Sequence, residues 1–151
     1  MKFIAHRGNI NGINIEKENT VEYIVTAIKD SFDVEIDLWY VDDEFYLGHN
    51  VPIEKVSIDF LLDNSKWLWC HSKDIYTFNE LLKYDEINTF FHDFDECALT
   101  SHKYLWTYFD KPLTEKSILL KFDKDSFFTI PEYIYGICSD NIEYYKKKLN
   151  N

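Results

Sequence analysis

Glycine and proline are scarce in this chain, 4 and 3 residues of 151, which argues against collagen-like or Pro/Gly-rich disordered architecture. The three cysteines, Cys70, Cys97 and Cys138, are odd in number, far apart and without a CxxC pair. They argue against a disulfide framework or a zinc knuckle and read as reduced thiols. No apolar run approaches the ~20 residues of a membrane helix, and no basic stretch leading into an apolar segment marks a leader. Net positive charge is missing too, since 16 Lys and Arg face 27 Asp and Glu, for a formal charge of −11. That speaks against sequence-independent nucleic-acid binding and against charge-driven docking on an anionic membrane. It leaves an anionic small molecule open, because a few local cations or a metal ion reverse the field inside one cleft. The expectation is a soluble cytoplasmic protein with no nucleic-acid partner and no membrane span.

What the chain does have is hydrophobic mass. Apolar residues make up 46% and aromatic rings 18%, enough for a core in a single domain over 1–151. Phe3-Ile4-Ala5 reads as a first strand that runs into His6-Arg7-Gly8. A polar loop with Gly8, Asn9, Asn11, Gly12 and Asn14 follows. Val21, Ile24, Val25 and Ile28 then recur at helical spacing, with Asn19 as the start signal. Asp33 to Trp39 alternates, placing Glu35 and Asp37 on one face of a strand and Val34, Ile36 and Leu38 on the other. Asp42-Asp43 marks a turn into a short return strand that ends at Gly48-His49-Asn50.

Further strands are expected at 67–70, 89–91, 104–108, 118–120 and 133–138. Asp74 starts a helix carrying Ile75, Phe78, Leu81 and Leu82. Asp140 reads as the cap of a last helix with Ile142, Tyr145 and Leu149 on one face and Lys146 to Lys148 at its dipole end. Strands alternating with helices imply parallel pairing. In such folds, polar residues at strand C-termini gather at one mouth. His6, Glu35, Asp37, His71, Lys73 and His92 all lie near such ends. A full eight-stranded (β/α) barrel takes roughly 250 residues, so two to four proper helices are expected here.

The motif set resembles the glycerophosphodiester phosphodiesterase family, within the phospholipase-C-like phosphodiesterases. His6-Arg7-Gly8, Glu18-Asn19-Thr20, Glu35-Ile36-Asp37 and Gly48-His49-Asn50 occur in that family's order, and Gly136-Ile-Cys-Ser-Asp140 is similar to its closing strand. The resemblance is good over the first third of the chain and weak in the middle. It departs at Asn50, where the family usually has aspartate, and at His71-Ser72-Lys73, where many members have glutamate two residues before the lysine. It implies a short, divergent member with an α/β fold, a compact or truncated TIM-type (β/α) barrel with several helices shortened or missing. It also implies metal-dependent hydrolysis of a glycerophosphodiester-like small molecule, with His6 as base and His49 as acid.

The residue types suit that chemistry. Phosphodiester cleavage needs a base, an acid and positive charge on the phosphoryl oxygens, and imidazoles titrate near neutrality. Arg7 can clamp phosphate through its fork, and Lys73 adds a second cation. Glu35 and Asp37, two carboxylates side by side, are explained by a divalent ion between them, Mg²⁺ or Ca²⁺, with His71 as a third ligand. His92 and His102 read as structural, Glu18 and Asn19 as a helix start, although the resemblance implies a place at the site for this glutamate, and the Trp67, Trp69, Tyr104, Trp106 and Tyr108 cluster reads as core. Two alternatives stand beside hydrolysis. One is a degenerate relative that binds a phosphorylated ligand without turnover, and the other is a lyase of the same fold that releases a cyclic phosphate.

Overall fold

The computed structural model describes residues 1–124 and 128–150. Its elements, in chain order, are β1 (Lys2–His6), α1 (Val21–Lys29), β2 (Asp33–Val41), β3 (Glu44–Leu47), β4 (Glu54–Val56), α2 (Ile58–Asp63), β5 (Leu68–Ser72) and α3 (Ile75–Leu81), followed by β6 (Thr89–Phe90), β7 (Cys97–Leu99), β8 (Leu105–Tyr108), β9 (Ser117–Leu120), β10 (Gly136–Ser139) and α4 (Ile142–Leu149). The ten strands form one curled sheet whose wall runs β6-β5-β2-β1-β10-β9-β8-β7. Pairing is parallel from β6 across to β8, and β7 runs antiparallel to β8. β3 and β4 extend from the far end of β2 as an antiparallel arm.

This corrects the expected TIM-type (β/α) barrel. The sheet is a mixed half-barrel, and only 20% of the chain is helical. Two physical reasons stand out. First, β2, β3 and β4 are joined by short turns rather than helical crossovers; Asp42 and Asp43 both take positive φ, 50° and 62°, the geometry of a tight hairpin. Second, the four helices follow only β1, β4, β5 and β10, and the connections from β6 through β10 carry none among the described residues. The sheet also stays open. Among the described residues the outer edge of β6 has no strand partner, although the Ser101 N–H donates to the Thr89 carbonyl at 2.7 Å.

The curl produces two cores. Ala5, Val34, Ile36, Leu38, Cys70, Leu119 and Ile137 point outward, and the helices cover them with Ile24, Ala27, Leu61, Leu81, Ile142 and Tyr145. The opposite faces of the same strands point into the trough, where Ile4, Trp69, Phe90, Trp106, Ile118, Leu120 and Cys138 pack together. This is the period-2 alternation of strands buried on both sides. The helices start on their own side chains: Thr20 accepts from the Tyr23 N–H, Ser57 from Phe60 and Asp74 from Thr77. No helix among the described residues is long and apolar enough to cross a membrane.

Candidate functional site

The inward faces of β1, β2 and β5 carry more than apolar residues. Register places His6 beside Glu35, Glu35 beside Trp69, and Asp37 beside His71. The trough therefore has an apolar floor and an ionisable rim at the strand C-termini. His6, Arg7, Glu35, Asp37, His49, His71 and Lys73, each a candidate from the sequence, all line one cavity of about 450 Å³. The same cavity is walled by His92, Asp93, Trp106, Tyr108, Leu120 and Phe122.

Asp37, almost wholly buried, is the centre of the polar network. Its Oδ2 meets His49 Nδ1 at 2.9 Å and accepts from Asn19 Nδ2 at 3.0 Å. Its Oδ1 meets His71 Nδ1 at 3.0 Å and Lys73 Nζ at 3.2 Å. Burial opposes ionisation of Asp37, but the His49 and His71 hydrogen bonds and the Lys73 charge win and hold its carboxyl well below the ordinary range. An ionised Asp37 accepts only, so His49 Nδ1 carries the proton and Nε2 is the free ring nitrogen. Arg7 Nη2 lies 3.1 Å from that Nε2.

Glu35 behaves in the opposite way. Burial, together with the neighbouring Asp37 charge, raises its carboxyl above the ordinary value. Two carboxylates this close in a dry site favour either a shared proton or a cation. One ligand atom each from Glu35, Asp37 and His71 fall within 4.8 Å of one another. Two carboxylates and an imidazole at that spacing fit a divalent ion.

A second histidine–carboxylate pair mirrors the first. His6 Nδ1 lies 2.8 Å from Asp140 Oδ1, and its Nε2 lies 3.9 Å from Glu35 Oε2. Burial pulls the His6 pKa down, but the Asp140 hydrogen bond and the Glu35 and Asp140 charges outweigh it, so the net shift is upward. Phe122 stands over the ring at 4.7 Å between centroids. Asp140, read from sequence as a helix cap, is therefore a site residue. It lies one residue past the end of β10, two after the inward-facing Cys138, and Asn141 takes the cap position without a side-chain cap bond. The family-like closing motif was the signal for it.

Arg7 joins the two pairs. Nη1 donates to Glu18 Oε1 at 3.2 Å. Nε lies 3.0 Å from Asp37 Oδ2, but its N–H is not aimed at the oxygen, so the contact is an ion pair and the buried donor has no hydrogen bond among the described residues. The loop after β1 is tied to the same network, because Asn9 Nδ2 donates to both Glu18 and Asp140. Glu18 and Asn19 do not cap the helix, which starts on Thr20; Glu18 holds Arg7, in keeping with the place the resemblance implied for it, and Asn19 holds Asp37. His92, read as structural, stacks on His71 with centroids 4.8 Å apart, and its buried Nδ1 has no hydrogen-bond partner among the described residues. Its pKa is lowered by burial and by the His71 and Lys73 charges. His102 lies away from the cavity, with Nε2 2.9 Å from the Asp85 carbonyl. No family model, curated protein or solved structure matches this chain.

Proposed function

We propose that this chain is a phosphodiester hydrolase acting on a glycerophosphodiester-like small molecule. One observation carries the reading. Two histidines, His6 and His49, are each anchored through Nδ1 to an aspartate and share one cavity with a forked cation, Arg7. Such anchoring fixes tautomer and ring direction, which leaves Nε2 of each ring for proton transfer.

Arg7 binds the phosphoryl oxygens, displacing its own contact with His49 Nε2. Lys73, held by Asp37, adds a second positive charge at the phosphate. One imidazole accepts the proton of the attacking water or substrate hydroxyl, and the other protonates the departing alkoxide. Glu35, Asp37 and His71 would hold a divalent cation, which supplies Lewis-acid charge to the phosphoryl group when bound. The apolar floor beneath the rim, with Trp106 and Leu120, limits water and strengthens every charge interaction above it.

Hydrolysis of a bis-aryl phosphodiester and of glycerophosphocholine, with EDTA or with Mg²⁺, Ca²⁺ or Mn²⁺, tests this. Turnover is expected with an ion, and His6→Ala or His49→Ala should each lose at least ~10²-fold in kcat while remaining folded by circular dichroism. Near-normal activity in both variants would sink the assignment. Phosphate-ester binding without turnover would leave a binding protein in place of an enzyme. Phosphorus NMR of the product separates hydrolase from cyclising lyase.

A further inference from the structure

The His6, Arg7 and His49 side chains border two cavities rather than one. The first is the trough cavity of about 450 Å³, whose walls include Lys73, His92, Asp93 and Tyr108. The second is a cleft of about 350 Å³ on the other side of Arg7, walled by Ile13, Ile15, Glu18, Asn50 and Asp140. A phosphodiester is the one phosphate ester that needs two such spaces, because its phosphorus carries two alcohol arms that diverge. With the phosphoryl group at Arg7, one arm enters each cavity.

The two cavities differ in chemistry. In the second, the two carboxylates are already engaged: Glu18 is tied to Arg7 and Asn9, and Asp140 to His6 and Asn9. Beside Asn50, the remaining wall is isoleucine. Ile13 and Ile15 are 66% and 82% exposed, on a loop that does not hang free. The Asn14 N–H between them donates to Asn9 Oδ1 at 3.1 Å, and the Asn14 carbonyl accepts from the Lys17 and Glu18 N–H groups. The same asparagine that orients Glu18 and Asp140 thus also holds the two apolar side chains at the edge of the site. Val51 and Ile53, just past Asn50, are also largely exposed.

Resting on the phosphodiesterase reading, we infer that the substrate is an amphiphile, a phosphodiester with one polar arm in the trough and one hydrocarbon arm along Ile13 and Ile15. Each methylene that leaves water for the cleft is worth up to ~0.8 kcal/mol, a factor of about four.

The test is a series of monoalkyl p-nitrophenyl phosphates, from methyl through butyl and octyl to dodecyl, kept below their critical micelle concentrations. The kcat/KM should rise roughly two- to fourfold per added methylene and then level off as the cleft fills. In an Ile13→Ser/Ile15→Ser variant the octyl-to-methyl ratio should collapse toward one, a ratio that does not depend on how much variant is folded. Turnover of the methyl ester with a flat chain-length profile overturns the inference and leaves the phosphodiesterase reading standing. A gain that starts only above the micelle threshold overturns it in favour of a rim that touches aggregates. No turnover of any ester removes both readings.

Discussion

Arg7 has a left-handed backbone, φ 53°, at the point where β1 ends, and Asn19, whose N–H donates to the Arg7 carbonyl, has φ 55°. Non-glycine residues in that region cost of order 1 kcal/mol each and persist where the surroundings fix them. Here the surroundings are the Glu35 carbonyl and carboxylate, which both accept from the Arg7 N–H, at 2.9 and 3.3 Å. The backbone is bent so that the guanidinium lies over Asp37 between two histidines. Arg7→Lys keeps the charge but loses the fork. A charged hydrogen bond is worth ~1.5–3 kcal/mol, so kcat/KM should fall roughly 10- to 150-fold with little change in melting temperature. An unchanged kcat/KM would place the phosphate elsewhere. The imidazole of His71 beside two carboxylates has its own consequence. Carboxylates suit Mg²⁺, Ca²⁺ and Mn²⁺, whereas imidazole suits the transition series, so Mn²⁺ should outbind Mg²⁺ and Ca²⁺. At a concentration of 100 Kd it should raise the melting temperature by roughly 5–10 °C, and Glu35→Gln should abolish the shift. No shift with any divalent ion would remove the metal site.

At the scale of elements, the β2–β3 hairpin delivers His49, and Gly48 sets its exit. Gly48 has φ 149°, and a Cβ there would fall 2.1 Å from the Val51 carbonyl oxygen. The Gly48 carbonyl also accepts from Trp39 Nε1 at 2.6 Å. Gly48→Ala should cost roughly 1–3 kcal/mol of stability by denaturant titration and displace His49 from Asp37; a variant of native stability would show that the turn can relax. This region was also the most legible in the sequence. The alternation of β2 placed Glu35 and Asp37 on one face, and Asp42-Asp43 announced the turn. The same reading missed β4, α2 and β7, which are too short to show a period. It overcounted crossovers because a polar cluster after a strand looks alike whether a helix or a hairpin follows. Asp140 and Asn19 were misread for one reason: an Asx residue before a helix is a good cap on its own terms, and only the long-range register shows that His6 and Asp37 take its side chain instead.

At the scale of the whole molecule, the two-sided sheet hides two of three thiols. Cys138 points into the trough and Cys70 into the helix-covered face, both buried, whereas Cys97 on the edge strand β7 is exposed. A maleimide should label one thiol per native chain, mapped by mass spectrometry to Cys97, and three after denaturation. Rapid native labelling of Cys70 or Cys138 would mean that the half-barrel opens far more readily than its packing implies. Within a chain of net charge −11, one cavity gathers Arg7, Lys73 and four histidines, and Glu35, Asp37 and Asp93 line the same space. The sequence order of the wall has a last effect. β1 finds its neighbour β10 only near the other end of the chain, and His6 meets Asp140 across 134 residues. During synthesis at ~5–20 residues per second, His6 waits roughly 7–27 s for its aspartate to be made. Until then β1 lacks β10, and one of its edges stays unpaired.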